Sequence, residues 1–284
     1  MEAYELRPVT VDEDTLGRMA ALLRTAFPGA AHYTEDVLRW QYKENPAGAA
    51  VGFNAWLGEE LAGHYVALPH KALVNGVSEA GLLSLNTATH PAHQGKGLFT
   101  RLAKATYTHA AEAGFGFVVG VANANSTHGF TKKLGFHLVS PLRAMIGVGP
   151  LPRERAADVR FAREWDPATL AWRLRHPAYS YTMKQERGQA LVLSRRTQLG
   201  ARYVLGRRGL AMTEGAVPRE RGNVLRKVWI GLDPGMRWAG SAFVNIPMRL
   251  RPSPLNLIFK DLTDQGRTLN PAHVRFDTMD FDIL

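Results

Sequence analysis

Residues 81–123 read GLLSLNTATHPAHQGKGLFTRLAKATYTHAAEAGFGFVVGVAN and carry the strongest structural signals in the chain. The pattern predicts an apolar strand from Gly81, a glycine-containing loop at 93–97, a helix that begins at Leu98, and a second apolar strand from Phe117. A strand that passes through such a loop into a helix directs several unpaired backbone N–H groups, and the positive end of the helix dipole, to one point. That point is suited to a phosphate group.

The two loop glycines, Gly95 and Gly97, flank Lys96. Glycine has no Cβ and tolerates positive φ, so an anion can approach the backbone closely, and the lysine adds positive charge. Tight turns also use glycine for purely steric reasons, and for this fragment alone that alternative stands.

The wider sequence resembles a known family. The segment Gln94–Phe99 (QGKGLF) resembles the Q/R-x-x-G-x-G/A signature of the GNAT acyltransferase superfamily, and Asn123–Phe136 (NANSTHGFTKKLGF) is similar to the motif that follows it in that family. Both motifs stand in the expected order, and the resemblance covers about half the chain. It implies an α/β fold, a twisted mixed sheet flanked by helices, and a site for acetyl-CoA or another acyl-CoA.

The same resemblance assigns the cofactor contacts. The diphosphate would be bound by residues of the glycine loop and the first helical turn: Gln94, Gly95, Lys96, Gly97, Leu98, Phe99 and Thr100. The pantetheine arm would lie in an opening between the two strands, against Asn86, Thr87, Ala88 and Thr89, with a backbone N–H at Asn86 polarising the thioester carbonyl. For Thr100, a hydrogen bond back into the helix is the alternative.

Two side chains at the end of the second strand complete the predicted cofactor site. Asn123 is a candidate ligand for the pantetheine amides. Ser126 is expected to cap the next helix, with a contact to the cofactor as the other interpretation.

Two positions depart from the family pattern. Phe99 replaces the last glycine or alanine of the signature and is expected to pack inward while its N–H still faces the phosphate. Thr131 stands where many members carry the tyrosine that protonates the departing thiolate, and a threonine hydroxyl is a poor acid by comparison. His128 is a second candidate acid, although an exposed position on the helix is the alternative.

The general base is also not evident. No carboxylate occurs between Gly81 and Thr89, so the base must lie elsewhere or be a relayed water. The segment Phe276–Leu284 (FDTMDFDIL) predicts a half-buried strand. In some multi-domain relatives of the enhanced-intracellular-survival type, the terminal carboxylate acts as the base, which makes Leu284 a candidate; simple edge pairing of the strand is the alternative.

Elsewhere the chain offers clear local signals. Asp12 and Thr34 are good N-caps for two amphipathic helices. Asn75-Gly76 predicts a type I′ hairpin turn that leads into the strand from Gly81. His64 and His70 lie on or beside a strand, where half-buried packing is expected and catalysis is the alternative.

Composition limits the function further. The 284 residues include no cysteine, which excludes disulfides, thiol nucleophiles and thiolate metal ligands, and no metal site is predicted. The N-terminal sequence does not resemble a secretion signal, and no apolar run approaches the ~18 residues of a membrane span, so a cytoplasmic location is expected. The formal charge of +10 suits an acidic cofactor such as CoA. The arginines are scattered, so no nucleic-acid partner is expected.

The segment 147–152 (GVGPLP) predicts a domain boundary. Residues 1–150 would form the acyl-CoA-binding domain. Residues 151–284 would form a second, smaller lobe, because LAWRLRHP at 170–177 echoes LRWQYKENP at 38–46 and suggests a degenerate GNAT-like repeat. An unrelated α+β domain that shapes the substrate site is the alternative.

The sequence therefore predicts an acetyltransferase that moves an acetyl or other acyl group from CoA to a small-molecule amine by direct attack in a ternary complex. One alternative is a non-catalytic acyl-CoA-binding or regulatory module. The other is an aminoacyl-tRNA-dependent ligase built from two GNAT-like lobes. The acceptor, the acyl length and the oligomeric state are left open.

Overall fold

A computed structural model describes residues 3–27, 29–196, 200–213, 215 and 217–281. Within these residues the α-helices are α1 Glu13–Ala26, α2 Glu35–Tyr42, α3 Leu98–Glu112, α4 Ala124–His128, α5 Pro167–Leu174 and α6 Leu210–Thr213. The strands are β1 Glu5–Pro8, β2 Val51–Leu57, β3 Glu60–Val74, β4 Val77–Thr89, β5 Phe117–Ala122, β6 His137–Pro141, β7 Arg143–Val148, β8 Phe161–Arg163, β9 Thr182–Glu186, β10 Gln189–Arg196, β11 Arg202–Gly209, β12 Arg226–Leu232, β13 Phe243–Asn245, β14 Asn256–Asp261 and β15 Val274–Asp277. Short 3₁₀ helices cover Pro91–His93, Met248–Leu250 and Pro271–His273, and Gly129–Lys133 is π-helical.

The local signals of the N-terminal half are confirmed. Asp12 and Thr34 cap α1 and α2 by accepting hydrogen bonds from backbone N–H groups of the first turn. Asn75 (φ 52°) and Gly76 (φ 88°) take the two positive φ angles of the turn between β3 and β4. His64 and His70 both lie on one strand, β3, and both are buried rather than half buried.

The central sheet is mixed. Strands β3 and β4 pair antiparallel along most of their length, whereas β4 and β5 are parallel because the crossover through α3 lies between them. Small and apolar residues of α3, among them Leu102, Ala103 and Ala110, are buried against the sheet. The predicted α/β fold with a mixed sheet and flanking helices is confirmed.

The second half of the chain contributes strands to the sheet of the first half. Strand β14 lies between β5 and β6 and pairs antiparallel with both. Strand β8 pairs with the end of β3, and β7 pairs with β12. Residues 256–261 are therefore part of the wall on which β5 rests. The division of the chain at residue 150 stays a prediction.

The two similar tryptophan segments face each other. The rings of Trp40, on α2, and Trp172, on α5, stack with centroids 4.7 Å apart. Each indole N–H donates to the other residue's backbone carbonyl, at 3.0 Å from Trp40 and 2.9 Å from Trp172. This reciprocal contact packs α2 against α5, and the internal repeat stays a prediction.

The helices of the described residues include none with both the length and the apolar character needed to cross a membrane. The largest apolar clusters lie on the two faces of the central sheet, one beneath α3 and the other against β12 and β15.

Candidate active site

Strands β4 and β5 part at one end of the sheet. Their parallel pairing runs from Gly81 opposite Phe117 to Ser84 opposite Gly120 and stops there. Beyond that point β4 pairs only with β3, so one edge of its backbone faces an open cleft of about 300 Å³. The residues that line the cleft are Phe27, Tyr33, Leu83, Ser84, Leu85, Asn86, Thr87, Gly120, Val121, Asn123, Ser126, Phe130, Ile258 and Phe281.

A β-bulge interrupts β4 inside this cleft. The register shifts between the pair Val66–Leu85 and the pair His64–Ala88, so that β4 carries an extra residue there. Asn86 takes a left-handed conformation, with φ of 49°. Such a backbone is uncommon outside glycine and persists only where the surroundings hold it.

The side chain of Asn86 provides that hold. Its Nδ2 donates to Gln41 Oε1 at 2.7 Å and to Tyr42 Oη at 2.9 Å, both on α2. Tyr42 Oη lies 3.0 Å from His64 Nε2, and His64 Nδ1 lies 2.7 Å from Asn54 Oδ1. We call these five residues the bulge network. Four of them are buried, and Asn86 is the member that reaches the cleft.

The bulge network is uncharged. Burial lowers the pKa of His64 to about 3, so the imidazole is neutral. Since Asn54 Oδ1 can only accept, Nδ1 of His64 carries the proton, and Nε2 accepts from the Tyr42 hydroxyl. Burial also raises the pKa of Tyr42, which keeps its hydroxyl protonated. In each of these four contacts a donor meets an acceptor, and the bulge is fixed without a buried charge.

The glycine loop lies where β4 leads, through the 3₁₀ helix Pro91–His93, into α3. Gly95 and Gly97 have φ of 76° and 74°, and a Cβ on either would meet no atom within 4 Å. Gly97 is the N-cap of α3 and has no side chain to cap it. In the described part of the chain, the N–H groups of Leu98, Phe99 and Thr100 find no protein acceptor. The first turn of α3 therefore presents unpaired donors to solvent, as an anion site requires.

The side chains of the loop leave this opening clear. The Phe99 ring packs inward against Phe130, with centroids 5.2 Å apart. Lys96 Nζ lies 5.7 Å from the centre of the Tyr4 ring. Gln94 is exposed, and the alternative of a back-bond from Thr100 into the helix is not found among the described contacts.

The cap at the end of β5 differs from the expectation. Asn123, not Ser126, is the N-cap of α4: its Oδ1 accepts from the Ser126 N–H at 3.0 Å, while Ser126 Oγ accepts from the Asn123 N–H at 3.1 Å. The sequence contained this signal, since an asparagine followed three residues later by serine can cap reciprocally. Both residues still line the cleft.

The remaining candidates have separate positions. Thr131 Oγ1 donates to the Thr127 carbonyl at 2.9 Å, so its proton is used within the helix. His128 is exposed at the end of α4 and does not line the cleft. Leu284 lies outside the described residues. Of the predicted β4 residues, Thr87 lines the cleft, Ala88 is buried in an apolar cluster with residues of α1 and α2, and Thr89 pairs with Gly63.

Sequence reasoning missed a chain of hydroxyl groups that reaches the cleft. Tyr107 Oη lies 2.6 Å from Tyr65 Oη, which lies 2.8 Å from Ser84 Oγ at the point where β4 and β5 part. Burial raises the pKa of Tyr65 to about 12, so the chain is neutral. These three residues come from three separate elements, and no sequence spacing connects them.

Comparison with known families identifies a domain in the first half of the chain. Residues 5–139 match the family model described as the acetyltransferase (GNAT) domain, and this segment of the chain belongs to that family. The comparison with curated proteins found no match.

Solved structures share the fold at low sequence identity. A GCN5-related N-acetyltransferase from Anabaena variabilis ATCC 29413 is similar with a TM-score of 0.62 and 11% identity, over 91% of this chain and 73% of that one. A probable N-acyltransferase from Enterococcus faecalis V583 gives a TM-score of 0.60 and 12% identity, over 92% and 73%. Eis1 from Mycobacterium abscessus gives a TM-score of 0.54 and 12% identity, over 92% of this chain and 74% of that one. These likenesses extend the shared fold into the second half of the chain.

Proposed function

We propose that the protein is a CoA-dependent N-acyltransferase that moves an acetyl or other acyl group to a small-molecule amine. One observation carries the proposal: the unpaired N–H groups at the start of α3 and the unpaired edge of β4 lie at the same end of the sheet. A diphosphate at the first would let the rest of the cofactor extend along the second. The family of residues 5–139 agrees with this assignment.

The cofactor would be held mainly by backbone. Gln94–Thr100 would bind the diphosphate through N–H groups that no side chain obstructs. The edge of β4 from Asn86 to Thr89 would pair with the amides of the pantetheine arm, and Asn123 and Ser126 would form the opposite wall. Backbone donors of this kind fit an extended chain of amides better than they fit a compact ligand.

The reaction would be a direct attack. The amine nitrogen forms a bond to the thioester carbon, the C–S bond breaks, and the sulfur leaves as a thiolate that takes up a proton. A backbone N–H at the bulge would stabilise the oxyanion, and the bulge network would hold that N–H at a fixed angle. Such fixed donors lower the barrier because they do not reorganise during the reaction.

Proton transfer is assigned to water. The described residues that line the cleft include no carboxylate, and the Thr131 proton is engaged within its helix. A water at the cleft mouth would take the proton of the amine, and solvent would return one to the thiolate. The alternative base, the carboxylate of Leu284, stays a prediction.

The experiment measures binding and transfer separately. Titration calorimetry with acetyl-CoA should give one site per chain. Release of free thiol, followed by a chromogenic disulfide in the presence of a panel of primary amines, should report transfer. Absence of calorimetric binding would contradict the cofactor site itself.

A second candidate is a non-catalytic acyl-CoA-binding module. It is favoured by the engaged Thr131 hydroxyl and by the lack of a carboxylate among the described cleft residues. Binding without thiol release for every amine of the panel would support it, and release with any one of them would exclude it.

A further inference from the structure

A cluster of metal-type ligands lies beside the glycine loop and outside the cleft. It consists of Glu60, the first residue of β3, and of His90 and His93, on either side of the turn that follows β4. One ligand atom from each lies within 4.8 Å of the others. Within the described residues this is the one such set of three.

The measured separations suit a small cation. His93 Nε2 lies 3.0 Å from Glu60 Oε1, and His90 Nδ1 lies 4.0 Å from the same oxygen. In a tetrahedral site with bonds of about 2.0–2.2 Å, neighbouring ligand atoms are roughly 3.3–3.5 Å apart. The two separations bracket this value, and the third, between the two histidine nitrogens, is no more than 4.8 Å.

The histidine nitrogens are also prepared for this role. His90 Nδ1 accepts a long hydrogen bond from the Ala92 N–H, at 3.3 Å, which identifies Nδ1 as the unprotonated nitrogen, and an ion would take the place of that N–H at its lone pair. His93 is buried, and its Nδ1 lies 2.9 Å from Tyr4 Oη. Without an ion, Nε2–H donates to the Glu60 carboxylate at 3.0 Å. Because a tyrosine hydroxyl can accept as well as donate, Tyr4 also supports the other tautomer, in which Nδ1 carries the proton and Nε2 is a ligand. A partner of this type commonly orients a metal-bound histidine.

The electrostatic surroundings select the class of ion. Lys96 Nζ lies 5.7 Å from the Tyr4 ring centre, and Arg101 Nη2 donates to the Tyr4 carbonyl at 3.2 Å. These two cations lie beside Tyr4, and a single carboxylate does not suit a hard ion such as Ca²⁺ or Mg²⁺, which prefers all-oxygen ligands. Two imidazoles and one carboxylate instead match borderline ions such as Zn²⁺.

We propose that Glu60, His90 and His93 form a binding site for a zinc-type divalent cation, with the fourth position open to solvent. The site joins the start of β3 to the 3₁₀ helix that ends at His93, and the glycine loop begins with the next residue, Gln94. A bound ion ties that loop to the sheet. This role is separate from acyl transfer and does not depend on it.

The test uses the full-length protein and two ions. Calorimetry with ZnCl₂ on protein freed of metal by EDTA and desalting should give one site per chain. Co²⁺ should give the strong visible absorption of a four-coordinate complex. Absence of stoichiometric Zn²⁺ binding by the wild-type protein overturns the proposal.

Three variants separate a built site from adventitious binding. Glu60→Gln and His93→Gln keep a polar side chain that can still form hydrogen bonds, and both should abolish the cobalt absorption. Tyr4→Phe should weaken Zn²⁺ binding by about tenfold or more. His109→Gln, at an exposed histidine of α3, is the matched control and should bind as the wild type does.

Melting temperatures measured in EDTA show whether each variant is folded. Zn²⁺ should raise the melting temperature of the wild type and of His109→Gln, and not that of the other two glutamine variants. Equal binding by Glu60→Gln, His93→Gln and the wild type would mean that the ion binds elsewhere, and would overturn the proposal.

Discussion

The glycine loop and the bulge lie on either side of the last residues of β4, yet they are built in opposite ways. The loop from Gln94 to Thr100 presents backbone groups, is largely exposed, and holds its shape through two glycines at positive φ. The bulge at Asn86 also has positive φ, but it is fixed by side chains from α2, β2 and β3. The N–H groups of the loop are thus open to solvent, whereas the backbone of the bulge is held in place by buried side chains.

This difference indicates that the loop and the bulge have different functions. When no ligand is bound, the unpaired N–H groups of an exposed loop are hydrated by solvent. A charged group can therefore bind there and be released readily. A donor that stabilises a short-lived oxyanion must instead be held at one angle. The comparison therefore predicts that changes in the loop alter affinity, and that changes in the bulge network alter rate.

The largest effect is expected in the loop. Gly97→Trp places a bulky side chain at positive φ beside the unpaired N–H groups, and acetyl-CoA affinity should fall by about a hundredfold or more. Gly114→Trp is the matched control, because Gly114 follows the other end of α3, has φ of 85° and has the same open surroundings. Calorimetry on both variants measures the effect. Similar losses in the two would show that backbone strain, and not the loop, is responsible.

The next effect is expected in the bulge network. Tyr42→Phe removes the hydroxyl that accepts from Asn86 and donates to His64. The turnover rate should fall roughly 10- to 100-fold while acetyl-CoA affinity changes little, because a small displacement of the donor weakens only the transition state.

Tyr181→Phe removes another buried tyrosine hydroxyl, one that accepts from Arg173 in the second half of the chain, and serves as the control. Steady-state kinetics and calorimetry separate rate from affinity. A Tyr42→Phe variant that loses affinity instead of rate would contradict the division drawn above.

A third effect is expected on the pH dependence of stability, because two histidines of β3 are buried. Burial lowers the pKa of both His64 and His70 to about 3. Between that value and the unfolded pKa near 6.5, only the unfolded chain binds the proton, so stability is full above about pH 6.5 and falls as the pH is lowered. At pH 5.5, the burial of each neutral histidine should lower the free energy of unfolding by about 1.4 kcal/mol relative to its value above pH 6.5.

His70→Leu removes the contribution of His70 to this loss of stability at acid pH. His70 Nδ1 has no hydrogen-bond partner, so the substitution leaves no partner of that atom unpaired. Urea unfolding at pH 7.5 and pH 5.5 should show a smaller acid loss in the variant than in the wild type. Asp280 titrates in the opposite sense, since burial raises its pKa to about 6, and this carboxyl group is present in both proteins. Equal acid losses in the two proteins would contradict the assignment.

The smallest effect is expected for the loop's own charge. Because Lys96 Nζ lies over the Tyr4 ring, Lys96→Ala should reduce acetyl-CoA affinity only about two- to fivefold, the usual size of an exposed charge at a helix N-terminus. Calorimetry at low and high salt measures it. A loss as large as that of Gly97→Trp would mean that the lysine, and not the backbone, binds the diphosphate.

Much of the site could be predicted from short stretches of sequence. The glycine loop, the N-caps at Asp12 and Thr34 and the turn at Asn75-Gly76 depend on residues that are close in the chain. The reciprocal cap of Asn123 and Ser126 was equally local, and it was assigned the wrong way round because serine is as good a cap as asparagine.

Other features could not be predicted in this way. The apolar segment at 256–261 reads as a strand, but nothing in it indicates that it enters the sheet between β5 and β6. The burial of His64 was also underestimated, since alternation along β3 does not reveal that both faces of the strand are covered.

By itself, the sequence determined where this protein exposes its backbone: glycine, asparagine and capping side chains act on neighbours within a few residues, and that chemistry is the same in any fold. Only the tertiary structure decided what fixes the bulge, because Asn86 and Tyr42 are 44 residues apart, and what pairs Trp40 with Trp172 across 132 residues. Contacts of that range depend on which strands pair and on which helices cover them. Those choices are made by the burial of the whole apolar surface and not by any one segment.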